Sequence, residues 1–452
     1  MALLTVAGAL LWATGIRAQV AITDIAVRSN VVTLDWAAST DLCLVAVSTS
    51  LCSGLFTYVG DVLATNGARL TDAGDCGFYR VCRVAAIDFP DTNLEAVIRA
   101  AMPVVHAPLD YLYDVDLAVV TNLDAQSTGV GDTSGLESLT GLEQLDLSGN
   151  ELYGLDLSFS VLRYLACDDC GLGDLPLDGF PRLQVLSCNG NSLPDLDLSP
   201  CGALADVSCR SNRLQTIDFS GCAGLRNLDC SCNLLDDLDL SPCTSLDTLC
   251  CEFNHLTNLD LSACASLGTL HCGLNYLANL DLSACTNLTS IECDDNTNLA
   301  SVELGPCLCA NLSCARGALT DLDVHECPAL VALDCSGNAI SSLNLASCGN
   351  MQVLHCETNT LTTLDLSDCV NLQELHADRN SIILYSVFWP DSVSQLTLIS
   401  LRGNPVGSLE PLIELAAEEG LEGCQLILSE PVDQGQVDTL TGYGVSVTVY
   451  PN

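Results

Sequence analysis

Ten cysteines recur at a constant spacing of 21 residues: Cys167, Cys188, Cys209, Cys230, Cys251, Cys272, Cys293, Cys314, Cys335 and Cys356. A fixed period of this length dictates a solenoid, in which each repeat buries its apolar side only by stacking on its neighbours. The segment Leu267 to Asn287 shows the full pattern, Leu-x-x-Leu-x-Cys-x-x-Asn-x-Leu-x-x-Leu-Asp-Leu-Ser-x-Cys-x-x. Counted from its first leucine, places one, four and six point inward from a strand, because alternate side chains share a face. Place nine holds Asn191, Asn212, Asn233, Asn254, Asn275, Asn338 and Asn359, where a stacked row of amides can satisfy backbone groups at a turn.

The pattern is identified as a leucine-rich repeat with cysteine in one leucine slot. Repeats begin at Val120, Leu142, Leu162, Leu183, Leu204, Leu225, Leu246, Leu267, Leu288, Cys309, Leu330, Met351, Leu372 and Leu396, which predicts about 14 coils over residues 120–408. The fold class expected is an α/β solenoid dominated by β, with a parallel sheet on its concave side. Register slips in the coil from Leu288, where Asn298 is an extra residue, and the coil from Leu372 carries an inserted Phe388-Trp389-Pro390.

Ahead of the repeats, residues 1–18 read as a secretory signal peptide, apolar through Leu3, Leu4, Val6, Leu10, Leu11 and Trp12 but without a basic start. Residues 19–84 alternate as strands do in Val31 to Trp36, Leu44 to Val47 and Phe78 to Val81, predicting a small β-sandwich-like domain. Its Cys43, Cys52, Cys76 and Cys82 lie off the ladder and suit disulfides in an exported domain, with three pairings open. Residues 85–119 predict a helical cap, started by Asp91 or Thr92 and turning Leu94, Val97, Ile98 and Ala101 to one side. Residues 409–452 are expected to close the array as a C-terminal cap, with a helix over Leu412 to Glu419 and strands near Gln425 to Leu428 and Val445 to Tyr450.

The Phe78-Tyr79-Arg80-Val81 stretch resembles fibronectin-type-III-like modules of secreted bacterial proteins. The segment containing Asp88-Phe89-Pro90-Asp91 and Val120-Thr121-Asn122-Leu123-Asp124 is similar to the N-terminal cap and first repeat of bacterial internalin-like surface proteins. That resemblance implies a secreted or cell-surface protein, and a binding rather than a catalytic role.

Charge narrows the partners. The 14 basic residues are all arginine, and 57 acids bring the net charge to −43. Nucleic acid is disfavoured, because phosphates are held by clustered Lys and Arg. Without lysine, Schiff-base and P-loop chemistry are out of reach. No stretch beyond the first eighteen residues is long and apolar enough to insert in a membrane. No G-x-S-x-G or H-E-x-x-H motif points to an enzyme. A protein or glycan ligand bound by a monomer is expected, with a secreted effector or inhibitor, or a cation-bridged envelope protein, as rival roles.

Three features compete as sites. The Leu-Asp-Leu-Ser stretch sets out Asp197, Asp218, Asp239, Asp260, Asp281, Glu303, Asp323 and Asp365 in a row whose oxygens suit Ca²⁺, although bonding to nearby Ser hydroxyls accounts for the same pattern. No cofactor is otherwise expected. A second cysteine row, Cys201, Cys222, Cys243, Cys264, Cys285, Cys307, Cys327, Cys348 and Cys369, is expected to be buried and free. Zinc is disfavoured there, because a ladder spreads its ligands along a line. The ligand surface expected is the concave strip of His271, Glu292, Asp294, Asp295, Arg316, Asp334, His355, Glu357, His376, Asp378 and Arg379.

Overall fold

A computed structural model describes the backbone of residues 22–28, 31–36, 42–48, 57–58, 67–71 and 78–84, then residues 86–102, 112–113 and 117–451, except 153, 156, 158, 160, 391, 392 and 419. The proposed signal segment, Cys52 and Cys76, and the side chains of Cys43 and Cys82 lie outside the described residues. The chain divides into two units, Met1–Gln144 and Leu145–Asn452.

In the first unit, strands Ile22–Arg28, Val31–Trp36 and Gly67–Thr71 form one antiparallel sheet, and Thr57–Tyr58, Leu42–Ser48 and Phe78–Val84 form a second. A helix over Thr92–Ala101 follows. Its N-cap is Asp91, whose Oδ1 accepts from the Asn93 and Leu94 N–H groups at 2.8 and 3.1 Å, while Oδ2 accepts from Gly131 N–H at 2.7 Å. Burial opposes the charge on this carboxyl, but the backbone donors together hold it below the usual carboxylate range. Leu94 and Ile98 are buried; Val97 is half-buried and Ala101, expected on the same side, is exposed.

The second unit is built on one long parallel sheet of three-residue strands, from Tyr164–Ala166 through Glu374–His376. Register repeats without slip, Leu165 beside Leu186, Leu186 beside Val207 and Leu249 beside Leu270. The strands Leu398–Ser400, Gln425–Ser429 and Ser446–Tyr450 continue the same sheet. Helices Glu410–Glu418 and Gln434–Gly442 make the connections there, so the closing segment is two further turns; its second helix carries no sharp apolar stripe to announce it. Opposite the sheet run short paired strands such as Asp195–Asp197 with Thr216–Asp218 and Asn279–Leu282 with Ser301–Leu304.

Between these walls lies the core of leucines and cysteines. Both cysteine rows are buried, most of their members completely, and no disulfide occurs among the described residues. Burial pushes most of these thiols up, Cys201 and Cys243 to about 12 and Cys285 to about 11, so at neutral pH they pack as small apolar groups, whereas hydrogen bonds from Cys309 and Cys327 lower Cys307.

Asparagine at place nine joins one coil to the next. The Asn254 Nδ2 donates to the Cys251 and Cys230 carbonyls, one in its own coil and one in the coil before, and Oδ1 accepts from Leu235 N–H at 3.1 Å. The same set recurs at Asn191, Asn212, Asn233 and Asn275, and extends to Asn296 and Asn380. In the slipped coil the extra residue lets Leu299 N–H bond to the Asn296 carbonyl instead, and the next coil has Gly317 where an asparagine would stand.

Place eight, just before each asparagine, is left-handed throughout. Ser211, Cys232, Phe253, Leu274, Asp295, Arg316, Thr358 and Arg379 all have φ between 53° and 58°, and Gly190, Gly337 and Gly403 occupy the same slot. The backbone there must reverse from strand to asparagine turn within one residue, which the right-handed region does not permit.

Candidate binding surface on the long sheet

Each three-residue strand points its first and third residues outward, at places three and five, and place seven follows on the same side. The expected strip therefore resolves into three rows. His271, Glu292, Asp334, His355 and His376 stand at place five; Asp294, Glu357 and Asp378 at place seven; Asp295, Arg316 and Arg379 at place eight. The last three are not on the sheet face. They occupy the left-handed turn, where Arg316 grips Asp295 of the preceding coil by two bonds of 2.6 and 2.7 Å.

Place seven has a structural use that sequence reasoning missed. The Asp294 carboxylate accepts from the Ser313 hydroxyl at 2.7 Å and from Ala315 N–H at 2.6 Å in the next coil. Asp378 does the same with Ser400 and Arg402 N–H, Asp168 with Ser187 and Asn189 N–H, and the Asn189 amide with Ser208 and Arg210 N–H. An acid or amide at place seven followed by serine at the next place five is thus a clamp between coils. Burial raises the Asp294 carboxyl above its ordinary value despite these donors. The signal was available as a residue pair 19 apart, Asp168 with Ser187 or Asp294 with Ser313.

Where place five is not serine, the clamp is absent, although Asp334 accepts from the Ser336 N–H at 2.9 Å. One such stretch is Asp334, His355 and His376. The two imidazoles stack with centroids 4.1 Å apart, His355 Nδ1 lies 3.3 Å from Glu357 Oε1, and His376 Nε2 lies 3.2 Å from Glu374 Oε2. The second oxygen of Glu357 is buried without a hydrogen-bond partner.

The other stretch spans Cys250, His271 and Glu292 at place five, with Glu252 at place seven. Donor atoms of Glu252, His271 and Glu292 lie within 4.8 Å of one another. Cys250 Sγ is 3.9 Å from His271 Nδ1. Beside this group the turn edge exposes Leu234, Phe253, Leu274 and Tyr276, each at least 40% accessible, with His255 stacked on Tyr276. Cys250, Glu252 and this apolar edge were not expected.

The acidic row on the opposite wall is held inside its own turns. Asp197, Asp239, Asp260 and Asp281 each accept from the backbone N–H of the serine two residues on, at 2.9 to 3.0 Å. Serine hydrogen bonds, side-chain ahead of backbone, hold Asp239, Asp260 and Asp281 below the usual carboxylate range. The partner is thus the serine backbone as well as its hydroxyl.

No family model matches the chain. Over 70 residues, 16% of the chain, it is 36% identical to Internalin J of Listeria monocytogenes, and that match spans 7% of the relative's length. Among solved structures, the functional domain of InlJ from Listeria monocytogenes, described as including a cysteine ladder, is 26% identical with a TM-score of 0.45, covering 77% of this chain and 83% of that one. An internalin, InlF, from the same species is 20% identical with a TM-score of 0.49, covering 80% and 96%. The leucine-rich-repeat domain of APL1 is 18% identical with a TM-score of 0.51, covering 64% and 85%. The fold is a leucine-rich-repeat solenoid. Among the described residues no helix is long and apolar enough to cross a membrane.

Proposed function

We propose that this chain is an exported, non-catalytic binding protein that engages a partner protein through the outward face of its long sheet, in the manner of an adhesion module. The observation that carries this reading is the contrast between two sets of places. Inward places repeat leucine and cysteine coil after coil, whereas place five runs Cys250, His271, Glu292, Ser313, Asp334, His355, His376 along one continuous surface. A scaffold that only needed to stack would have no use for that variation.

Two features of the surface favour a protein partner over a glycan. On the turn edge beside the face, the exposed Phe253 and Tyr276 supply the aromatic anchors that protein interfaces favour, and on the face the unpartnered Glu357 oxygen supplies an acceptor for a donor on the ligand. The local likeness to Internalin J supports surface exposure, and the acidic balance suits a partner with a basic face.

The test is site-specific photo-cross-linking on the native cell surface or its secretion medium. A cross-linker at position 271 or 376 should capture one defined protein, and the same group at Asp239 or Asp260 should not. Capture from the opposite wall alone would overturn the proposal.

A further inference from the structure

We propose that the sheet face also holds a single transition-metal ion of the zinc class, ligated by Glu252, His271 and Glu292 with the Cys250 thiolate as fourth donor. The site goes beyond partner binding, because the ion needs no second protein to bind. Glu252 at place seven joins His271 and Glu292 at place five, so three donors from successive coils cluster, and Cys250 adjoins them through His271. The objection that a ladder spreads its ligands along a line holds for the buried cysteine rows and does not reach this cluster.

The geometry is close to that of a loaded site. With metal–ligand bonds of about 2.0–2.3 Å, neighbouring donors of a tetrahedron stand roughly 3.3–3.8 Å apart. Here the three donor atoms lie within 4.8 Å of one another, His271 Nδ1 is 3.9 Å from Glu292 Oε2, and Cys250 Sγ is 3.9 Å from the same nitrogen.

Charge and hydrogen bonding point the same way. Among the described residues neither the Glu252 nor the Glu292 carboxylate accepts a hydrogen bond, in contrast to the clamped Asp294 and the serine-bonded acids of the opposite wall. Negative charge from Asp229, Glu252 and Glu292 bears on Cys250. A divalent cation reverses that field, and a coordinating thiol gives up its proton to solvent as the metal–sulfur bond forms. The ligand set then carries three negative charges and a neutral imidazole. Nitrogen and sulfur donors select zinc-class ions over Ca²⁺ or Mg²⁺, which take oxygen.

The test uses the full chain, stripped with a chelator, kept reduced, and titrated with Co²⁺ alone. One equivalent should bind with a thiolate-to-cobalt charge-transfer band, and one equivalent of Zn²⁺ should displace it. Replacing Cys250→Ser should remove that band, and His271→Ala should weaken binding by more than the ~10–100-fold that loss of a merely supporting residue costs. His271 lies on the solvent side, so circular dichroism and the melting point of the variant should match the parent. Cobalt binding that is unchanged in both variants, or a parent chain that shows no thiolate band, would overturn the proposal.

Discussion

The imidazole rings of His355 and His376 lie face to face, with centroids 4.1 Å apart and planes 12° from parallel, one in each of two adjacent coils. Around His355 stand Glu357, to which it is hydrogen-bonded, together with Asp334 and Glu374. The Glu357 bond raises the His355 pKa against the effect of burial. Burial works against a charged Glu357, but hydrogen bonding to His355 and to backbone N–H overcomes it and lowers that carboxyl.

The sign of the pH effect follows. A histidine raised in the folded state stabilises fully below its unfolded pKa of about 6.5 and loses that contribution as pH climbs through the folded value. A lowered glutamate contributes above its unfolded value and loses it as pH falls through the folded one. The pair is therefore at full strength between them. The melting temperature should decline from about pH 6 to pH 8, and Glu357→Gln should flatten that slope. Equal slopes in parent and variant would contradict it.

Asn254→Ala should be costly. It removes the acceptor of Leu235 N–H and one donor from each of the Cys230 and Cys251 carbonyls, all buried. Those carbonyls keep bonds from Asn233 and Asn275, so the orphaned N–H dominates and the loss should be roughly 2–3 kcal/mol by urea titration. Asn287→Ala, which loses one exposed bond to the Ala265 carbonyl, should change stability by less than about 0.5 kcal/mol.

Thr358→Gly should stabilise. Thr358 is β-branched, exposed and held at φ 56°, and the coil before it and the second coil after it already use Gly337 and Gly403 in equivalent slots. Relief of the left-handed strain exceeds the entropy that glycine brings to the unfolded chain, for a net gain of about 1 kcal/mol in the same titration.

Thiol chemistry should be sharply uneven. Cys307 and Cys327 place their sulfurs 3.0 Å apart, and hydrogen bonds from Cys309 first and Cys327 second favour the thiolate at Cys307. Under a mild disulfide oxidant this pair should link before any other described cysteines, detected by peptide mass spectrometry. Cys188, Cys209 and Cys230, buried and pushed up, should resist alkylation until the chain unfolds.

The period made the sheet, the two cysteine rows and the asparagine row legible, because their side chains do the same work in every coil. Place eight was not legible for the opposite reason. What is constant there is a backbone angle, and serine, cysteine, phenylalanine, leucine, aspartate, arginine and threonine all adopt it, with Gly149, Gly190, Gly337 and Gly403 as a visible trace. The clamp escaped because each half varies, Asp168 or Asn189 on one side, and its meaning lies in the pairing across coils. For the same reason Asp294 and Asp378 look like ligand-facing acids in a single row and prove to be fasteners.

The bonds of the asparagine row and of the clamp stay within a coil or reach the adjoining one, and in the regular coils the asparagine offset is constant. A whole regular coil can therefore be duplicated or lost in the gene while the asparagine row re-forms across the new junction. Length becomes an adjustable evolutionary variable, and the reach of the outward face can be tuned without touching the interior. The slipped coil from Leu288, with its rerouted Leu299 bond and its glycine successor, is where that constant offset is interrupted.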